Sequence, residues 1–121
     1  IEVTTWADVA GTSTIGSYVT LPWRSADRHQ ELKCWEEVVV EYANNTGNLI
    51  VEYRIADHPR QFAAATFVTA QTISQSVVGN MGRVFIGTIS RWIQLRFRTS
   101  GAASTLYWPV RVWAIPLGVL Y

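Results

Sequence analysis

Residues 33–56 read KCWEEVVVEYA-NNTG-NLIVEYRIA, and this stretch decides the fold class. Over 33–43, Cys34, Val38, Val40 and Tyr42 share one phase of a two-residue period. Trp35, Glu37, Val39 and Glu41 share the other. Asn44-Asn45-Thr46-Gly47 follows, a run of residues that tolerate positive φ and favour turns. Over 48–56, Leu49, Val51, Tyr53 and Ile55 alternate against Ile50, Glu52 and Arg54. A period of two sends successive side chains to opposite faces, so both segments read as half-buried strands. The intervening turn predicts a hairpin, with Glu37 or Glu41 facing Arg54 across it.

The same period recurs outward from this stretch. Over 90–99, Ile93, Leu95 and Phe97 oppose Trp92, Gln94, Arg96 and Arg98. After a turn at Ser100-Gly101-Ala102, Leu106, Trp108, Val110, Val112 and Ala114 form an inward set against Tyr107, Pro109, Arg111 and Trp113. Pro109 has no amide donor, which places this strand at an edge or puts a bulge there. Shorter strands read over 3–9, 17–23, 64–70, 72–78 and 83–86, the last entered through a turn at Gly79-Asn80-Met81-Gly82. A short helix over 25–32, capped by Ser25, is the competing reading of that polar run. About eight short strands with regular turn signals predict an all-β chain: an antiparallel two-layer β-sandwich, jelly-roll-like, with residues 1–121 forming a single domain.

Composition narrows the function. Of 121 residues, 49% are hydrophobic and 16% charged, so a packed core is expected. The formal net charge of +1 gives no general attraction to nucleic acid or an anionic membrane. Nine of the ten cations are arginine, the exception being Lys33. Arginine suits planar, bidentate or stacked contacts, although a GC-rich coding sequence would give the same bias. Cys34 is the sole cysteine, so no internal disulfide forms, as suits assembly in a reducing cytoplasm. No apolar run approaches the ~18 residues that cross a bilayer, and membrane insertion is not expected. The first residue, Ile1, and the lack of a basic-then-apolar leader point to a processed product or a domain cut from a longer chain.

Catalytic constellations are not apparent. His29 and His58 sit in predicted loops beside Asp27, Asp57 and Pro59, and read as solvent-exposed. Zinc needs three or four ligands, and Cys34 falls on an apolar strand phase where a buried, inert thiol is expected. Glu36 and Glu37 are adjacent on a strand and point to opposite faces, so they cannot flank one bond. Glu36 itself falls on the apolar phase, which suggests a bulge or a paired carboxylate. No nucleophile elbow, phosphate-binding glycine loop or zinc-protease motif occurs. The reading is therefore a non-enzyme with no cofactor and no metal.

The aromatic residues are the informative feature, with six tryptophans in the chain. Trp108 falls on the apolar phase, and Trp6 and Trp23 suit partial burial. Trp35, Trp92, Trp113 and Tyr107 instead fall on polar phases, among Arg96, Arg98 and Arg111. This set is the candidate partner- or glycan-binding site, because exposed aromatics and arginines are enriched at binding hot spots. Three readings compete: a protein–protein interface, a glycan platform, or tryptophans laid over arginine stems on a solvated face.

Gly82-Arg83-Val84-Phe85, with Arg91-Trp92-Ile93-Gln94-Leu95-Arg96-Phe97-Arg98 and Tyr107-Trp108-Pro109-Val110, resembles β-sandwich domains of bacteriophage tail and virion proteins. Val51-Glu52-Tyr53-Arg54-Ile55 is similar in style. The resemblance implies a structural or attachment module in a virion assembled in the host cytoplasm, present in many copies and acting by self-association or contacts with other virion proteins. The alternative is a carbohydrate-binding module with an exposed aromatic strip, its partner a host glycan.

Overall fold

Strands form where apolar residues recur at every second position, and the apolar faces so created must bury against one another. The computed structural model describes residues 2–6, 12–15, 18–25, 30–43, 48–73, 81–99 and 104–118. These contain nine strands: β1 (Glu2–Trp6), β2 (Thr12–Ile15), β3 (Tyr18–Thr20), β4 (Leu32–Ala43), β5 (Leu49–Ala56), β6 (Val68–Ile73), β7 (Met81–Ser90), β8 (Trp92–Thr99) and β9 (Ser104–Gly118). A 3₁₀ helix, Pro59–Ala64, joins β5 to β6.

All the strand pairs are antiparallel. One sheet runs β1-β9-β4-β7, with β2 also paired to β9; the other runs β3-β8-β5-β6. β1 meets β9 over Val110–Ala114 and β2 meets it over Ser104–Tyr107, so the two share one edge position. Four positions in each sheet remain, in jelly-roll order. The expected all-β, two-layer sandwich is the fold observed.

Two expectations about β4 and β5 are corrected. They do not form a hairpin: β4 pairs with β7 and β9, whereas β5 pairs with β6 and β8 in the other sheet. A two-residue period shows that one face of each strand is buried. It does not distinguish strands side by side in one sheet from strands facing each other across the core. Glu37 accordingly pairs with Arg83 on β7, at 3.1 Å, and not with Arg54.

The second correction concerns phase. Trp35, expected outside, is fully buried, and Cys34, expected inside, is half-exposed on the outer face. The cause is Glu36, an extra residue in β4 between the pairs Trp35–Ala114 and Glu37–Trp113. Such a bulge shifts the alternation by one residue. Lys33 and Trp35 point inward before it, and Val38, Val40 and Tyr42 after it. On the other side of β4 the extra residue belongs to β7, where Gly87 has a φ of +68°, a value that favours glycine. Pro109 is accommodated by a further irregularity, between Val39 and Glu41 on β4. Its strand is thus bulged there and lies inside the sheet.

The core is filled from both sheets by Val38, Val40, Val84, Val110, Val112 and Ala114 on one side and Leu49, Val51, Ile93, Leu95 and Phe97 on the other, all without solvent exposure. Trp35 closes it at one end. Its indole N–H donates to Ser90 Oγ at 2.9 Å, and that hydroxyl donates to the Trp92 carbonyl at 2.8 Å, so the buried polar atoms are satisfied. The Lys33 ammonium lies 5.7 Å from the Trp35 ring centre. Parts of the weaker strands, residues 26–29 of the expected helix over 25–32, residues 79–80 of the turn expected over 79–82, and the turns at 44–47 and 100–102 lie outside the described residues, as do the side chains of Trp6, Tyr107 and Trp108; Leu32 instead opens β4, and Met81-Gly82 open β7.

Trp35→Ala removes a large side chain from a sealed site and should lower unfolding free energy by about 3–5 kcal/mol in urea denaturation. A loss under about 1 kcal/mol would contradict its place in the core.

Candidate functional site

The outward residues of β8 and β5 pair across the four-stranded sheet: Trp92 with Ala56, Gln94 with Arg54, Arg96 with Glu52, and Arg98 with Ile50. Packing of Ile93, Leu95 and Phe97 into the core fixes this face by alternation. Two segments then fold over it. The segment holding Leu21 and Arg24 continues alongside β8, through Leu21 N–H to Leu95 O and reciprocal bonds between Arg24 and Ile93. It brings Trp23 to the face. The link between β5 and β6 brings Phe62, on the 3₁₀ helix, and Phe67 just beyond it.

That link is tied down along its length. His58 caps the helix, its Nδ1 accepting from the Arg60 N–H at 3.1 Å, while Gln61 Oε1 accepts from the Asp57 and His58 amides. Asp57 Oδ1 accepts from the Arg91 amide at 3.2 Å. The far end is held by Arg54 Nη1, which donates to the Ala65 carbonyl at 3.1 Å. His58 is exposed, with a capping role.

The result is an interlocked aromatic–arginine platform. Trp23 stacks on Phe62 with ring centres 4.1 Å apart, and Phe62 meets Trp92 edge-on at 5.4 Å. The Arg54 guanidinium lies 5.2 Å from the Trp23 ring centre and 4.6 Å from that of Phe67. Arg96 covers Phe67 at 3.9 Å. Arg54 Nε donates to Gln94 Oε1 at 2.7 Å, and Gln94 Nε2 donates to the Leu21 carbonyl at 2.8 Å. All four rings are half-buried. Part of each ring residue therefore remains accessible.

Glu52 sits beneath the arginines, 5% exposed, so a charge there needs partners. It accepts from Arg96 Nε at 2.9 Å, Arg98 Nε at 3.2 Å and Arg98 Nη2 at 3.4 Å. Burial alone would raise its carboxyl pKa. The hydrogen bonds and charges of Arg96 and Arg98 outweigh that and hold it below the ordinary glutamate value of 4.5. Arg54 shows the opposite stress: burial first, and then the nearby Arg96 charge, lower its pKa.

The sequence-predicted site residues are not brought together as one strip. Trp92, Arg96 and Arg98 lie on this face. Arg111 and Trp113 lie on the outer face of the other sheet, across the sandwich, with exposed Phe85, Ile89, Ile115 and Leu117. Trp35 belongs to the core and drops out. Tyr107 pairs with Glu41 and Thr12 through its backbone. The sequence reading left Trp23, Phe62, Phe67, Glu52, Arg54 and Gln94 out of the candidate site. For Glu52 and Arg54 a signal was present, since both fall on the polar phase of β5.

No protein-family model and no curated protein matches the sequence. Among solved structures, the chain is similar to the CBM32 carbohydrate-binding module of AlyQ, solved in complex with 4,5-unsaturated mannuronic acid. The TM-score is 0.50 at 16% identity, over 91% of this chain and 77% of that one. The likeness is one of fold. The virion reading is overturned: the fold likeness found is to a β-sandwich carbohydrate-binding module, and nothing in the comparisons points to a phage tail or virion domain.

Glu52→Gln should cost about 1–3 kcal/mol at neutral pH through loss of charge-assisted hydrogen bonds to Arg96 and Arg98. Because the folded-state pKa is depressed, this contribution is complete above pH 4.5 and fades as pH falls through the lower folded value. Urea denaturation of both proteins across that range should show their stabilities converging toward acid; a pH-independent gap would refute the assignment.

Proposed function

We propose that this chain binds carbohydrate, without a chemical step, on the outer face of the four-stranded sheet. The observation that carries the reading is the group of half-buried rings, Trp23, Phe62, Phe67 and Trp92, clamped among arginines whose own geometry is fixed. A sugar ring has apolar C–H faces and a hydroxyl edge. Aromatic faces suit the former, and guanidinium N–H groups donate to the latter. A platform already locked by stacking and hydrogen bonds loses little conformational entropy when a ligand arrives.

Two further points support this reading. The fold is shared with a carbohydrate-binding module. On this face, Glu52 is committed to Arg96 and Arg98 and kept ionised, whereas a glycosidase acid needs a raised pKa and a second carboxylate at a working distance. Glu52 is thus suited to hold arginines in place.

A glycan array followed by calorimetry on the best ligand tests the proposal. Trp92→Ala should weaken binding at least about tenfold, or about 1.4 kcal/mol. Trp113→Ala, on the opposite sheet, should leave it unchanged. A folded protein silent across the array would end the reading, and so would equal losses from the two substitutions.

A further inference from the structure

We infer that the glycan bound here is acidic, with its carboxylate or sulfate group seated on Arg98 and Arg96; this rests on the carbohydrate-binding reading above. Charge placement carries the inference. Three guanidiniums, those of Arg54, Arg96 and Arg98, converge on the face, and one carboxylate, Glu52, is hydrogen-bonded to two of them. Arg54 spends its bonds on neutral acceptors, the Gln94 side chain and the Ala65 carbonyl. Arg54 and Arg96 also crowd the same Phe67 ring, at 4.6 and 3.9 Å. The platform therefore holds more positive than negative charge, in a chain whose overall net charge is only +1.

Among the described residues, the strand register places no second acid in the rows of Arg96 and Arg98. The row through Arg96 runs Thr20, Arg96, Glu52, Thr69, and the row through Arg98 runs Tyr18, Arg98, Ile50, Thr72. Glu52 is the one acid in both rows. Its bonds use Nε of both arginines and Nη2 of Arg98. Among the described residues, the Nη groups of Arg96 and Nη1 of Arg98 meet no hydrogen-bond acceptor. The side chains carrying them are 27% and 47% exposed, against 6% for Glu52, so these donors open toward solvent above a buried anion. A carboxylate or sulfate accepts such paired N–H groups through two of its oxygens, whereas a neutral hydroxyl leaves the excess charge uncompensated. The adjacent rings would meanwhile hold the apolar face of the same sugar.

The test compares a uronic-acid oligosaccharide, its carboxyl-reduced neutral counterpart, and a sulfated oligosaccharide, using wild type, Arg98→Gln, Arg98→Lys and Trp92→Ala. Wild type should bind at least one acidic ligand, and which one distinguishes carboxylate from sulfate. The neutral counterpart should bind at least about tenfold more weakly, the expected worth of a charge-assisted hydrogen bond. Acidic binding should weaken as added salt shortens the Debye length from about 10 to about 3 Å. Arg98→Gln should abolish the preference for acid, Arg98→Lys should keep part of it, and Trp92→Ala should weaken acidic and neutral ligands alike. Neutral ligand bound as tightly as acidic, or an undiminished preference in folded Arg98→Gln, overturns this inference and leaves carbohydrate binding standing. Failure of the folded wild type to bind any of the three ligands or any arrayed glycan overturns both.

Discussion

Two sheets must fill one core about 10 Å thick with alternate residues from each strand, and this requirement governs everything outside it. The inward set on β8, Ile93, Leu95 and Phe97, leaves Trp92, Gln94, Arg96 and Arg98 no choice but the outer face. On β4 the same requirement is met with one correction in phase at Glu36, which brings Trp35 inward to close the end of the core. The hydrogen-bond chain from Trp35 through Ser90 to the Trp92 backbone then connects the sealed end of the sandwich to the first residue of the platform strand.

The platform is an arrangement of charges made tolerable by aromatic rings and one carboxylate. Half-burying Arg54 and Arg96 side by side is unfavourable in itself, as the lowered pKa of Arg54 indicates. Phe67 and Trp23 offer their electron-rich faces to these cations, worth about 0.5–1 kcal/mol each when exposed and more when desolvated. Glu52 orients Arg96 and Arg98 from below. The pieces come from distant parts of the chain, so the cluster also fastens the segment before β4 and the β5–β6 link to the sheet. Arginine serves here where lysine would not, because a planar guanidinium can stack and donate several hydrogen bonds at once.

The two outer faces differ in kind. On the five-stranded sheet, Phe85 is 73% exposed and Ile89, Ile115 and Leu117 are exposed beside it, with the Glu37–Arg83 pair near the surface. There the phenyl ring lies over Gly87, where a Cβ would come within 2.7 Å of it. On the four-stranded sheet the apolar area is broken up by bonded polar groups. Aromatic content alone did not separate a face built of packed, oriented groups from one that only exposes apolar side chains.

The sequence by itself determined the fold class and the alternation of most strands. A two-residue period leaves little choice once one face must leave water, and 37–42, 49–55 and 93–98 obeyed it. It also determined that Arg96 and Arg98 would share a face with Trp92. Partnership between strands was decided only by tertiary structure, because a buried face looks the same whether its neighbour is beside it or across the core; β4 and β5 show this. Tertiary structure also decided phase at Glu36, where one inserted residue exchanged the places of Trp35 and Cys34. The site was legible only in fragments for the same reason. Trp23 and Phe67, read as parts of strands over 17–23 and 64–70, lie on connections with Phe62, and Glu52 gains its meaning from Arg96, 44 residues away in the chain and opposite it in the sheet.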